Sequence, residues 1–173
     1  MAVFGAALAA LVLVSAAISA TRISPPVASL QTLPAPSKLP AEYVRLVNRS
    51  AAYVGITQAV AVKRTRLLLS NVTGLPLYAF AGTKDRVCFA VWRGGGTCGT
   101  VDGTHDAIWL VNGGSHKRGQ AVVGVVSDRV RAVDVSIRGR LVRAAVRHNA
   151  FVVPFRLRKG ERMPQPSVVP VTR

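Results

Sequence analysis

Thr104-His105-Asp106 is the one place in the chain where an imidazole stands beside a carboxylate, with Asp102 close by. Such a couple could serve a hydrolase as general base and orienting acid. Adjacency counts against it. Neighbours on a strand point to opposite faces, and neighbours in a loop are both solvated. His116 and His148 have no acidic neighbour in sequence. Neither a Gly-x-Ser-x-Gly elbow, a His-Glu-x-x-His helix nor a phosphate-cradling glycine loop with Lys-Ser/Thr occurs. A non-catalytic protein is the reading carried forward. The alternative is an envelope hydrolase using His105 and Asp106.

Cys88 and Cys98 lie in the densest stretch of the chain, Arg86-Val87-Cys88-Phe89-Ala90-Val91-Trp92-Arg93-Gly94-Gly95-Gly96-Thr97-Cys98-Gly99. As metal ligands with His105 they would have a spacing unlike that of usual zinc sites, so neither a metal nor a cofactor is expected. Arg86 to Trp92 reads as a strand, and Arg93 to Gly96 as a turn that brings Cys98 back toward Cys88 within disulfide reach. In an oxidising compartment the bridge would contribute about 2–3 kcal/mol by closing a short loop. In a reducing one the two residues would be small buried hydrophobes.

The net charge is +16, from 23 basic and 7 acidic residues. An excess of that size suits an anionic partner: nucleic acid, lipid headgroups or an acidic envelope polymer. The basic residues are mostly Arg and are scattered, which GC-rich coding would also produce. Nucleic acid is therefore the weaker of these partners, since no basic block or recognition module is present. The best-organised candidates are Arg138, Arg140, Arg143 and Arg147, around a hairpin in which Val133, Val135 and Ile137 alternate with polar residues and Gly139 turns the chain. Trp92 and Trp109 could line a groove. With aromatics at 6% of the chain, packing is the weightier role for both.

These residues need elements to position them. Ala2 to Ala20 is uncharged and apolar, long enough as a helix to span a bilayer, and reads as a signal peptide or a membrane anchor ending near Arg22. No basic residue precedes it, and Arg22 follows directly, so the side of the membrane stays open. Residues 23–40 carry Pro25, Pro26, Pro34, Pro36 and Pro40 and read as an extended linker. A folded unit is expected over 41–155 and a frayed, basic, Pro-rich tail over 156–173.

Within that unit a helix is expected over Ala41 to Ala52, with Tyr43, Val44, Val47 and Ala51 on one face. A second should begin at a Thr57 cap and end near Asn71, although Arg66 to Ser70 alone would pass for a strand. After Pro76 the period shortens. Leu77–Ala81, Val87–Trp92, Ala107–Val111, Ala121–Val126, Val130–Ile137, Leu141–Val146 and Ala150–Val153 read as short antiparallel strands. The fold class is α+β and β-dominated: an N-terminal apolar helix, one or two short helices, then a sandwich or roll of about six to seven strands.

Leu77-Tyr78-Ala79-Phe80, Arg86-Val87-Cys88-Phe89, Gly94-Gly95-Gly96-Thr97-Cys98, Val123 to Val130 and Asn149-Ala150-Phe151 together resemble uncharacterised exported or membrane-anchored β-rich proteins of actinobacteria. The likeness covers Leu67 to Pro154 and departs at Ser127 and Arg129, where Pro and Gly are more usual. It implies a compact β-rich domain behind an N-terminal apolar segment and carries no activity. The expectation is thus an exported or membrane-tethered envelope protein, the extracytoplasmic side favoured, with a basic surface that meets anionic polymer, headgroups or a protein partner.

Overall fold

The computed structural model describes residues 27–102, 104–112, 119–158 and 160–172. The expected apolar helix at the N-terminus and His116 lie outside them. No helix among the described residues is long and apolar enough to cross a membrane.

A 3-10 turn (Ala28–Thr32) precedes helices α1 (Ala41–Ala51) and α2 (Gln58–Arg64). Ten strands follow: β1 (Arg66–Val72), β2 (Leu75–Ala81), β3 (Arg86–Val91), β4 (Gly95–Thr100), β5 (Ala107–Asn112), β6 (Gln120–Val126), β7 (Val130–Ile137), β8 (Arg140–Ala145), β9 (Ala150–Phe155) and β10 (Ser167–Thr172). The β-dominated class and two short helices are as expected. The sheet count differs: the described residues form three antiparallel sheets, β1-β2-β3-β4, β5-β6-β9 and β10-β7-β8, rather than a sandwich or roll of about six to seven strands.

The period-two alternation along each strand distributes the core into layers. Leu77, Ala79, Val87, Phe89 and Val91 of the first sheet face Ala121, Val123 and Val125 of the second. In between, Tyr78, Phe80, Cys88 and Ala90 point the other way, onto Tyr43, Val47 and Ala51 of α1 and Ala61 of α2. The opposite face of the second sheet, with Val122, Val126, Phe151 and Val153, packs on Val133, Val135, Ile137 and Ala144 of the third. Strand β6 is therefore apolar on both sides and all seven of its residues are buried. β4 runs beside β5 and β1 beside β9, so the first two sheets wrap round one interior.

Four expectations need correction. The second helix stops at Arg64, not near Asn71, because Thr65 turns extended and β1 instead places Leu68 and Val72 in the core. The glycine run does not turn as a block. Residues 92–94 make the turn, and Gly95 and Gly96 are already in the ladder opposite Val91 and Ala90. A methyl on Gly96 would come within 2.8 Å of both the Ala90 Cβ and the Phe89 carbonyl oxygen, so close packing rather than turning demands glycine here. The tail is not frayed: β10 pairs with β7 along its length, and Pro170, on an edge strand, needs no donor. Nor are residues 23–40 all linker, since Val27 and Leu30 are buried in the main core.

The third sheet's hairpin follows the alternation. Ile137 pairs with Arg140 across a two-residue turn in which Arg138 and Gly139 both have positive φ (54° and 75°), the left-handed pair such a turn requires. Cys88 and Cys98 lie directly opposite in the β3–β4 ladder and are joined as a disulfide.

Candidate functional site

His105 and Asp106 take different partners. His105 is exposed, its Nδ1 3.5 Å from Asp102 Oδ1. Asp106 turns inward and accepts from Ser127 Oγ at 2.7 Å and from the Arg129 guanidinium at 2.6–2.9 Å. The Asp106 carboxyl is held below its ordinary range, first by the Arg129 hydrogen bond, then by Ser127 and the Arg129 charge, against the opposing effect of its own desolvation. The sign of the linkage follows. A carboxyl whose pKa is lower folded than unfolded contributes stability above its unfolded value, about 4, and loses it as pH falls through the folded one. Asp106→Asn should therefore lower the neutral plateau of a denaturation-midpoint profile and converge with the parent at acid pH, flattening the acid limb below about pH 4. An unchanged limb would show that the Arg129 contact does not hold in solution. Among the described residues no cluster of three or more His, Cys, Asp or Glu could hold a metal. Both sulfurs are in the bridge.

Two motifs of the resemblance meet in space. Asp128, in the turn before β7, and Asn149, in the turn before β9, are hydrogen-bonded through Asn149 Nδ2 and Asp128 Oδ1 at 2.5 Å. Asn149 Nδ2 also reaches the Val126 carbonyl at 3.1 Å. Ser29, in the 3-10 turn, closes the corner. Its backbone N–H donates to Asp128 Oδ2 at 3.1 Å, and its single hydroxyl proton is shared between Asp128 Oδ1 and Asn149 Oδ1. Asn149 holds φ +60° and His148 +50°, which few L-residues accept. His148 Nδ1 lies 3.2 Å from the Leu68 carbonyl, so that nitrogen carries the proton. The corner straps the N-terminal segment to the β-core.

The four hairpin arginines do not form one surface. Register places Arg140 and Arg143 on opposite faces of β8. Arg143 grips Asp134, its cross-strand partner, through Nε and a terminal nitrogen at 2.7 and 2.8 Å, and holds that carboxyl below its ordinary pKa. Arg138 bonds Glu161 at 2.7 Å. Arg140 and Arg147 are exposed beyond them. Half of this group is therefore neutralised. The signal was present in the sequence: a turn at Arg138-Gly139 fixes Asp134 opposite Arg143.

A second basic cluster, overlooked as a group at the sequence level, sits where the β2–β3 turn docks on the end of α1. Thr83 N donates to the Val54 carbonyl at 2.8 Å, bringing this turn beside Tyr53, which is 53% exposed. Arg86 donates to the Tyr53 carbonyl at 2.8 Å, and its guanidinium carbon lies 5.5 Å from the centroid of that ring. Arg64 reaches the carbonyls of Ala81 and Gly82 at 3.5 Å, and Arg66 those of Lys63 and Thr65 at 2.8 and 2.9 Å. These guanidiniums are positioned by backbone carbonyls, not by carboxylates, so their charge is undiminished. In sequence, the run from Lys63 to Arg86 adds Lys63 and Lys84 to these arginines and holds one acid, Asp85.

Comparison of the chain with protein-family models, with curated proteins and with solved structures finds no match.

Proposed function

We propose that this chain is a non-catalytic protein of a bacterial envelope, delivered or anchored by its apolar residues 2–20, whose folded part binds an anionic polymer through the cationic end around Tyr53. One observation carries the reading: Arg64, Arg66 and Arg86 are oriented by carbonyls that leave their charge available, whereas Arg138 and Arg143 of the β7–β8 hairpin are bound to carboxylates. Fixed guanidiniums lose little side-chain freedom on meeting an anion, and the exposed Tyr53 ring beside Arg86 adds an apolar flank. The Cys88–Cys98 bridge supports an oxidising, extracytoplasmic address. The resemblance to exported actinobacterial proteins points the same way.

Polyphosphate is a suitable probe. Affinity should fall steeply with salt, and Arg64→Gln/Arg86→Gln should lower the log–log slope by about two, near one per lost contact. Arg140→Gln/Arg147→Gln should change the slope by less. Vesicles containing phosphatidylglycerol form the second arm: a stronger response to them than to polyphosphate would make headgroups the partner. No polyphosphate or vesicle binding at about 50 mM salt, or equal slopes for both double variants, would reject the cationic end as the site.

A further inference from the structure

A cleft of about 230 Å³ lies between α1 and the β3–β4 hairpin, its Ser50 wall one helical turn before Tyr53. Helix α1 supplies one wall with Tyr43, Leu46 and Ser50, three positions of one helical face. The floor is made of the smallest rungs of the ladder. Ala90 stands opposite Gly96, and the next helix-facing rung is the Cys88–Cys98 bridge.

The space is built in rather than left over. Gly96 cannot fill it, because its Cβ would collide with Ala90 and with the Phe89 carbonyl. The two sulfurs are tied to each other, and Cys88 Sγ is already 4.0 Å from the Ser50 carbonyl oxygen. Volume selects the class of occupant. Apolar cavities of about 150 Å³ take benzene, while drug-sized ligands occupy about 300–1,000 Å³. The cleft therefore suits one ring with a small substituent.

Its chemistry narrows the class further. Among the described residues no lysine, arginine or carboxylate lines it, so a charged group would be desolvated there without a partner from them. Among the described residues Ser50 and Thr97 contribute hydroxyls besides that of Tyr43, which burial first, and then the neighbouring Tyr78, keeps protonated far above neutral pH. The polarizable sulfurs of the floor and the Phe80 ring favour an aromatic over an aliphatic guest. We infer that the cleft beneath α1 binds a single neutral aromatic ring carrying one hydroxyl, of the phenol class.

The test uses the oxidised full chain and p-cresol, with phenyl phosphate as the charged counterpart. Saturable one-to-one binding with Kd at or below about 1 mM is expected by titration calorimetry, with phenyl phosphate at least about tenfold weaker. Ser50→Leu, which places an isobutyl group at a half-exposed wall position, and Ala90→Val, which raises the floor, should each weaken p-cresol binding by about tenfold or more. Circular dichroism checks that each variant is folded, and either folded variant suffices for the comparison. No saturation up to about 10 mM, equal binding of phenyl phosphate, or unchanged binding in a folded variant would overturn the inference. Polyphosphate binding by the same preparation is unaffected by these outcomes, so the two sites stand or fall separately.

Discussion

Replacing Phe151 by Ala should lower the stability of the folded chain by about 3–5 kcal/mol, the largest effect of any single substitution considered. The ring is 1% exposed and belongs to the interface between the second and third sheets, among Val122, Val126, Val133, Val135 and Ile137. It also sits directly over Gly124: a methyl there would come within 2.5 Å of Phe151 Cε1 and 2.4 Å of the Ile108 carbonyl oxygen. The strand was made thin at that point to receive the ring. Truncation removes the ring's transfer free energy and leaves a hole floored by a glycine that cannot expand into it. Thermal denaturation should show a fall of roughly 10 °C for a domain of this size. Leu141→Ala, on the outer face of the third sheet where Leu141 is 70% exposed, supplies the contrast and should stay within about 0.5 kcal/mol. Equal effects at the two positions would mean that the sheets do not pack as described.

Asn149→Ala should cost about 2–4 kcal/mol, from two separable sources. One is conformational: φ of +60° places a Cβ against the following carbonyl, about 1–2 kcal/mol for alanine. The other is chemical. The Val126 carbonyl loses its side-chain donor, and the Asp128 carboxylate loses one of its ligands. Asn149→Gly removes the hydrogen bonds but relieves the backbone, so it should be the milder of the two by about 1 kcal/mol. Both variants should speed amide exchange in residues 28–32, because the strap holding Ser29 has lost its centre. If denaturant titration finds both substitutions within about 0.5 kcal/mol of the parent, the corner contributes nothing measurable.

Much of the β-architecture was legible because its signals are local. All seven strands expected after Pro76 are present, and Val133, Val135 and Ile137 turn inward as their alternation requires. Thr57 caps α2, its hydroxyl accepting from Val60 N at 3.4 Å, and Tyr43, Val47 and Ala51 form the buried stripe of α1. The misreadings share a cause. Gly95-Gly96-Thr97-Cys98-Gly99 has poor strand propensity, yet forms β4 because Ala90 and Ile108 press too closely for side chains at positions 96 and 99. Ser167-Val168-Val169-Pro170-Val171-Thr172 becomes a strand only because β7 offers an open edge. Propensity reports neither close approach nor a vacant edge. The cationic end was hidden for a similar reason. Lys63 to Arg66 and Lys84 to Arg86 are separate in sequence, and the fold brings them together where Arg64 reaches the Ala81 and Gly82 carbonyls at the β2–β3 turn.

The Ser29 strap also sets how far the ordered body extends. Val27 and Leu30 are buried in the main core and Ser29 is bonded to Asp128 and Asn149, so that body reaches back at least to Val27, well ahead of α1. Trimming the protein to begin at Ala41 should therefore uncover apolar core and leave it prone to self-association.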